Sequence, residues 1–186
     1  AAISTVLMGL LSSGDHVVAN TDVYGGTYGL MTGELPRFGI EVTMADMREP
    51  SSYEASIQEN TKLLYIETLS NPCLKVCDVE AKASLAKKHN LLLVIDNTFT
   101  SPWGCSPISM GCDLVIHSTT KYLGGHSQVV GGAVVGRADL IAELFAKKVH
   151  FGGGVDPHSA FLLEQGIRTL HARMPIHVNN SFELAT

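Results

Sequence analysis

The chain has 186 residues, of which 45 % are hydrophobic and 17 % charged, and its formal net charge is −5. These values are typical of one folded domain, and the acidic balance without basic runs argues against a nucleic-acid or anionic-membrane partner. The longest apolar stretches, residues 63–66 and 91–95, are far too short to span a bilayer, and no secretory signal is visible, so a cytoplasmic location is expected.

The first half of the chain alternates helical and extended patterns. Residues 1–11 are apolar all round and predict a buried helix, and Gly39 is placed to end a second helix. The elements expected in order are helix 1–11, strand 16–19, helix 27–38, strand 40–44, amphipathic helix 49–60 and strand 63–67.

The second half continues the alternation. Asp78 is placed to cap a helix, and residues 91–96 form an apolar run that ends in an acid, as expected of a fully buried strand. The elements expected here are helix 78–89, strands 91–96, 113–117 and 131–136, helices 138–148 and 157–170, and further helical sequence over 177–186.

Strands that alternate with helices predict βαβ units with right-handed crossovers. The expected fold class is therefore α/β, with a mainly parallel sheet covered by helices on both faces. In such sheets a ligand lies at the carboxyl ends of the strands. The polar residues expected at those ends, and therefore around one ligand, are Tyr24, Asn71, Asp96, Asn97, Thr98, Ser118, Thr120 and Lys121.

The stretch from residue 114 to residue 126 passes from an apolar strand pattern into hydroxyl residues, one lysine and two glycines. Lys121 lies between the strand end and the Gly124-Gly125 turn, where partial desolvation of its ammonium would lower its pKa and make it a nucleophile toward a carbonyl. The hydroxyls of residues 118–120 and free amides of the glycine turn could bind a phosphate. This combination fits pyridoxal phosphate, whereas the alternative is a solvated loop lysine without chemistry.

Four cysteines are present: Cys73, Cys77, Cys105 and Cys112. A chain of this length needs no disulfide, so they are expected to be reduced thiols that pack as small hydrophobic side chains. A zinc site is the alternative, but the spacings C-x3-C and C-x6-C are poor for it and Cys112 leads directly into a strand. No metal is predicted.

Four motifs in register carry a family resemblance: DVYGGT from Asp22, SNP from Ser70, DNTF from Asp96 and STTKYLGGH from Ser118. Together they resemble the Cys/Met-metabolism group of pyridoxal-phosphate enzymes, which includes cystathionine γ-synthase, cystathionine γ-lyase, cystathionine β-lyase, methionine γ-lyase and homoserine sulfhydrylases. The resemblance covers nearly the whole chain. It implies that residues 1–186 are the large cofactor-binding domain of a fold-type-I, aspartate aminotransferase-like enzyme, without the N-terminal arm and the C-terminal substrate domain.

The resemblance also implies roles for the site residues. Lys121 would hold the cofactor as a Schiff base and then carry protons, and Tyr24 would stack on the pyridine ring and help in proton transfer. Asp96 would pair with the pyridinium nitrogen, which agrees with the physical argument that a buried carboxylate keeps this nitrogen protonated.

Three further positions match cofactor-binding residues of the family. Ser118 and Thr120 match its phosphate-binding hydroxyls, and Asn71 matches a residue near the cofactor's 3-hydroxyl group. Turn formation before a proline is an alternative role for Asn71. Glu67 and Thr98 also lie at strand ends but receive no role.

The implied function is γ-elimination or γ-replacement on cystathionine, homocysteine, methionine or an O-acyl-homoserine. Gly26 stands where methionine γ-lyases typically have cysteine, which favours a cystathionine γ-lyase or γ-synthase. The alternatives are a β-lyase, an O-acylhomoserine sulfhydrylase, or a non-catalytic protein that binds pyridoxal phosphate or another phosphate ligand.

The family assembles as dimers of dimers, so a homo-oligomer is expected, with residues 3–11 and 160–170 as candidate contacts between copies. The resemblance also implies that the domain which binds the substrate carboxylate lies outside residues 1–186, so little or no turnover is expected from this chain alone.

Overall fold

The computed structural model describes residues 1–46 and 48–185. Its centre is a six-stranded sheet with the order β2-β1-β3-β4-β5-β6. The first five strands are parallel, and β6 runs antiparallel to β5, which confirms the mainly parallel sheet. The strands are β1 (His16–Asn20), β2 (Glu41–Ala45), β3 (Thr61–Glu67), β4 (Leu92–Asp96), β5 (Leu114–Ser118) and β6 (Gly132–Gly136).

Eight α-helices lie in the part of the chain that the structure describes. They are α1 (Ala2–Leu10), α2 (Gly25–Gly29), α3 (Pro50–Ala55), α4 (Val79–Lys88), α5 (Ser101–Gly104), α6 (Ala138–Phe151), α7 (Pro157–Arg168) and α8 (Leu170–Ala185). The α4 helix begins as predicted, because the Asp78 carboxylate accepts a hydrogen bond from the Ala81 amide at 2.9 Å. Among the described residues, no helix is long and apolar enough to cross a membrane.

The central strands are buried on both faces, as their continuous apolar runs require. On one face, Leu63 and Tyr65 of β3 join a core that includes α1 and α6. On the other face, Leu64 and Ile66 join a second core that includes α3 and α4. Because side chains alternate along a strand, this single run supplies both cores and confirms that helices cover both faces.

The first helix is packed inside its own chain. Val6 and Leu7 of α1 are completely buried, and α1 packs against α6. These two side chains are therefore not accessible to a second copy, whereas Ile3, Met8 and Leu10 of the predicted contact segment 3–11 are only half-buried. Phe161 and Ile167 of α7 are exposed. The oligomeric state itself stays a prediction.

Two predicted helices differ in the structure. The helix expected over 49–60 ends at Ala55, because the following segment turns back: the Gln58 amide donates to the Thr61 hydroxyl at 2.8 Å. The segment predicted as one helix over 27–38 is α2 followed by a π-helical turn (Leu30–Glu34) and a 3₁₀ turn (Leu35–Phe38). Gly39 ends it with φ +73°, a left-handed conformation that glycine adopts without strain.

The cysteines do not all pack alike. Cys77 and Cys112 are buried, as expected, but Cys73 is exposed because it lies in the loop after β3. All four cysteines are free. Within residues 1–46 and 48–185, no group of three or more metal-ligating side chains comes together.

Candidate functional site

A cleft of about 1280 Å³ lies beyond the carboxyl ends of the parallel strands. It forms there because parallel strands all end at one edge of the sheet, and the connecting loops diverge from that edge. All six residues for which the family resemblance implies a role line this cleft: Tyr24, Asn71, Asp96, Ser118, Thr120 and Lys121. The structure thus brings together residues that are up to 97 positions apart in the sequence.

Asp96 is the last residue of β4, and its side chain is 8 % exposed. Its carboxylate accepts a hydrogen bond from the Thr98 amide at 3.0 Å, and the Tyr65 hydroxyl donates to it at 3.5 Å. Burial raises the pKa of Asp96, although the hydrogen bonds from Thr98 and Tyr65 oppose the rise. No lysine, arginine or histidine forms an ion pair with Asp96 in the described part of the chain.

Asn97 and Thr98, the two residues after Asp96, have different surroundings. Thr98 lines the cleft, and its hydroxyl accepts a hydrogen bond from the Ser118 amide at 2.8 Å, which links the ends of β4 and β5. Asn97 is completely buried and does not line the cleft, contrary to the expectation. Its side-chain amide instead donates to the Ser101 and Cys105 carbonyls, so Asn97 holds the loop that follows β4.

Lys121 lies in the turn that follows β5 and is exposed. The argument for partial desolvation requires a buried lysine, and this chain does not bury the residue. The predicted free amides are also absent: Gly124 donates to the Thr119 carbonyl and Gly125 to the Lys121 carbonyl, both at 2.8 Å. These bonds use the glycine amides to close the turn that presents Lys121.

The hydroxyl residues around Lys121 have different environments. The Thr120 hydroxyl is hydrogen-bonded to the backbone of Gly131, at 3.1 Å from its nitrogen and 3.3 Å from its carbonyl oxygen. The Thr119 hydroxyl is buried and does not line the cleft. The Ser118 side chain is half-buried and has no protein hydrogen-bond partner among the described residues, so it is free to bind a ligand.

Glu67, which the sequence places at a strand end without a role, belongs to the lining of the cleft. It ends β3, is 4 % exposed and lines the cleft, and it is paired in register with Asp96 on β4. Its carboxylate accepts hydrogen bonds from the Tyr24 amide at 2.8 Å and the Asn71 amide at 3.2 Å. Burial raises the pKa of Glu67 to about 7, and the nearby Asp96 carboxylate adds to the rise while the two amides oppose it. The sequence signal was the same as for Asp96: an acid that closes an apolar strand.

His117 occupies the strand position next to Ser118 and also lines the cleft. Its side chain is 5 % exposed, and burial lowers its pKa to about 4. The imidazole is therefore neutral at physiological pH.

Comparisons with known proteins show the family to which the chain belongs. The family model for "Cys/Met metabolism PLP-dependent enzyme" matches residues 1–186. The chain belongs to this family. It is 47 % identical to a cystathionine gamma-lyase of Bacillus subtilis over all of the chain and 49 % of the relative. It is 41 % identical to an L-methionine gamma-lyase of Porphyromonas gingivalis over 99 % of the chain and 47 % of the relative.

Other matches include a different reaction and a solved structure. A cystathionine beta-lyase of Staphylococcus haemolyticus is 43 % identical over 99 % of the chain and 47 % of the relative. A cystathionine gamma-lyase from Lactobacillus plantarum, solved in complex with L-serine, superposes with a TM-score of 0.95 at 42 % identity, over 98 % of this chain and 48 % of that one. The chain spans about half the length of the curated relatives it matches.

The residues of the cleft fit the cofactor of the Cys/Met-metabolism family. Pyridoxal phosphate carries an aldehyde, a phosphate and a pyridine nitrogen. The cleft offers the Lys121 amine for the aldehyde, the Ser118 hydroxyl for the phosphate and the buried Asp96 carboxylate for a protonated ring nitrogen. A buried carboxylate without an ion-pair partner among the described residues is stabilised by a cationic N–H, so this donor set suits the cofactor.

Proposed function

We propose that residues 1–186 are the cofactor-binding part of a pyridoxal-phosphate enzyme that performs γ-elimination or γ-replacement on cystathionine, homocysteine, methionine or an O-acyl-homoserine. The observation that supports this most strongly is the cleft itself, because an amine, two hydroxyls and a buried carboxylate from separate strands line one space. When bound, the cofactor supplies an electron-withdrawing ring that stabilises a carbanion on the substrate.

Lys121 is the residue that would bind the cofactor covalently, because it is an exposed lysine that lines the cleft. Once a substrate amine displaces it, the same Nζ would move protons between substrate carbons. Asp96 would hold the proton on the ring nitrogen, since its carboxylate is buried at the floor formed by β4.

The remaining residues would orient the cofactor. Tyr24 is 55 % exposed, so its ring is free to stack on a planar ligand. Ser118 and Thr120 would bind the phosphate through their hydroxyls, and Asn71 would contact the 3-hydroxyl group from the loop after β3. Because Thr120 already bonds the Gly131 backbone, Ser118 is the more available of the two hydroxyls.

The proposal is tested by trapping the cofactor on the longest available chain that contains residues 1–186. Pyridoxal phosphate is added, the visible spectrum is recorded, and borohydride reduction is followed by peptide mass spectrometry. A yellow imine that maps to Lys121 and is lost in Lys121→Arg supports the proposal. Lys148, which lines the same cleft, provides the matched control Lys148→Arg, and that variant should label normally. An imine trapped elsewhere, or none in a folded protein, contradicts the assignment.

The reaction type needs a separate assay, because the relatives include beta-lyases as well as gamma-lyases. Cleavage of cystathionine on the γ side releases cysteine, whereas cleavage on the β side releases homocysteine. Supplying cystathionine, methionine and an acyl-homoserine in turn, and identifying the thiol and keto-acid products, separates these chemistries. If pyridoxal phosphate binds to Lys121 in the longest chain but none of these substrates reacts, the non-catalytic alternative is supported.

A further inference from the structure

The Glu67 carboxylate connects two loops of the cleft. One of its oxygens accepts the amide proton of Tyr24 at 2.8 Å, and the other accepts that of Asn71 at 3.2 Å. Tyr24 precedes α2, and Asn71 lies in the loop after β3, so the two amides belong to separate segments 47 residues apart. Both residues line the cleft together with Glu67.

Glu67 is itself held firmly. It is the last residue of the central strand β3, its side chain is 4 % exposed, and its own amide donates to the Asn20 side chain at 3.2 Å. In contrast, Tyr24 is 55 % exposed. A rigid, buried acceptor thus determines the position of a loop residue that little else covers.

We propose that Glu67 is a positioning residue that fixes Tyr24 and Asn71 against the bound cofactor. The inference rests on the proposed function, since it concerns the same cleft. Hydrogen bonds to a carboxylate are stronger than those to a neutral acceptor, and they are worth more in a water-poor environment. Loss of either bond leaves a buried oxygen or an amide without its partner, and the loop it held moves relative to the sheet.

Two substitutions separate the contributions of charge and reach. Glu67→Gln has nearly the same shape but only one acceptor oxygen, so its NH₂ group faces one of the two amide donors. Glu67→Asp keeps the two acceptors but is one methylene shorter, so it cannot reach both loops. Asp22→Asn is a matched control, because it weakens the ion pair between Asp22 and Lys75 in the same loops without touching the amides of Tyr24 or Asn71.

The first readout needs no cofactor. Hydrogen exchange followed by mass spectrometry should show faster exchange in peptides that contain the Tyr24 and Asn71 amides in Glu67→Gln, while α4 and α6 exchange at the wild-type rate. With pyridoxal phosphate, Glu67→Gln should bind about tenfold more weakly and show a weaker visible circular dichroism band per bound cofactor. The circular dichroism band reports ring orientation, which a change in global stability alone would not alter.

The outcomes distinguish this inference from the proposed function. If the wild type forms the Lys121 imine and Glu67→Gln matches it in exchange, affinity and dichroism, the positioning role is refuted while the proposed function stands. If the wild type forms no imine, the proposed function fails and this inference fails with it. Changes in Glu67→Gln and Glu67→Asp, with a normal dichroism band in Asp22→Asn, support the inference.

Discussion

Gly166 of α7 lies directly against the turn that presents Lys121. A Cβ atom at this position would lie 2.2 Å from the Gly124 carbonyl oxygen and 2.5 Å from that of Leu123. Both neighbours are backbone atoms, so no side-chain rotation can relieve the contact. The close approach of α7 to this turn therefore requires glycine, and Gly166→Ala tests whether the packing matters.

The expected effect follows from two opposing terms. Alanine is better than glycine in a helix by about 1 kcal/mol. Against this, a Cβ separation of even 3.0 Å requires the two backbones to part by about 0.8 Å. Because both neighbours are backbone atoms, the cost of overpacking is taken at the upper end of its usual range, about 3 kcal/mol. The net loss is about 2 kcal/mol, which corresponds to a decrease in Tm of roughly 6 °C for a chain of this size.

Urea unfolding and thermal unfolding, both followed by circular dichroism, measure this loss. Gly29→Ala in α2 is the matched control, because a Cβ there would meet no atom within 4 Å, and it should be neutral or more stable. The displaced turn should also reduce imine formation on Lys121. A Gly166→Ala protein as stable as wild type, with normal trapping of Lys121, would refute the packing argument.

Two further predictions concern the cleft. A Cβ at Gly26 would lie 2.6 Å from the ring of Tyr24, whereas a Cβ at Gly25 would meet no atom within 4 Å. Gly26→Ala should therefore weaken pyridoxal-phosphate binding severalfold, and Gly25→Ala should leave it unchanged. Equal affinities of the two variants, measured by titration of the visible absorption band, would contradict this. Burial lowers the pKa of His117 to about 4, so as the pH falls below 6.5 the unfolded state is protonated before the folded state. The stability contributed by the buried neutral imidazole is therefore complete above pH 6.5 and decreases until the pH reaches about 4. The free energy of unfolding should decrease by about 3 kcal/mol over this pH range. In His117→Gln the free energy of unfolding, measured with urea, should decrease less steeply between pH 6.5 and pH 4. The same dependence on pH in the variant and the wild type would contradict the assignment.

Much of the architecture follows from the sequence alone. The apolar runs at residues 63–66 and 91–95 are long enough to be buried on both faces, and a strand of that kind requires helices above and below it. Once the sheet is parallel, polar residues at the strand ends must face one edge. For this reason the sequence alone predicts a common site for Asp96, Ser118 and Lys121, and all three line the cleft.

The tertiary structure decided what depends on contacts between distant segments. Glu67 and Asp96 carry the same sequence signal, but only the register of β3 and β4 places them side by side, and only the loop geometry brings the Tyr24 and Asn71 amides to Glu67. Likewise, the sequence predicts free amides at Gly124 and Gly125, but backbone carbonyls within the turn accept hydrogen bonds from both. Local pattern specifies which residues end a strand, whereas hydrogen-bond partners and solvent exposure depend on the packing of segments that the sequence separates.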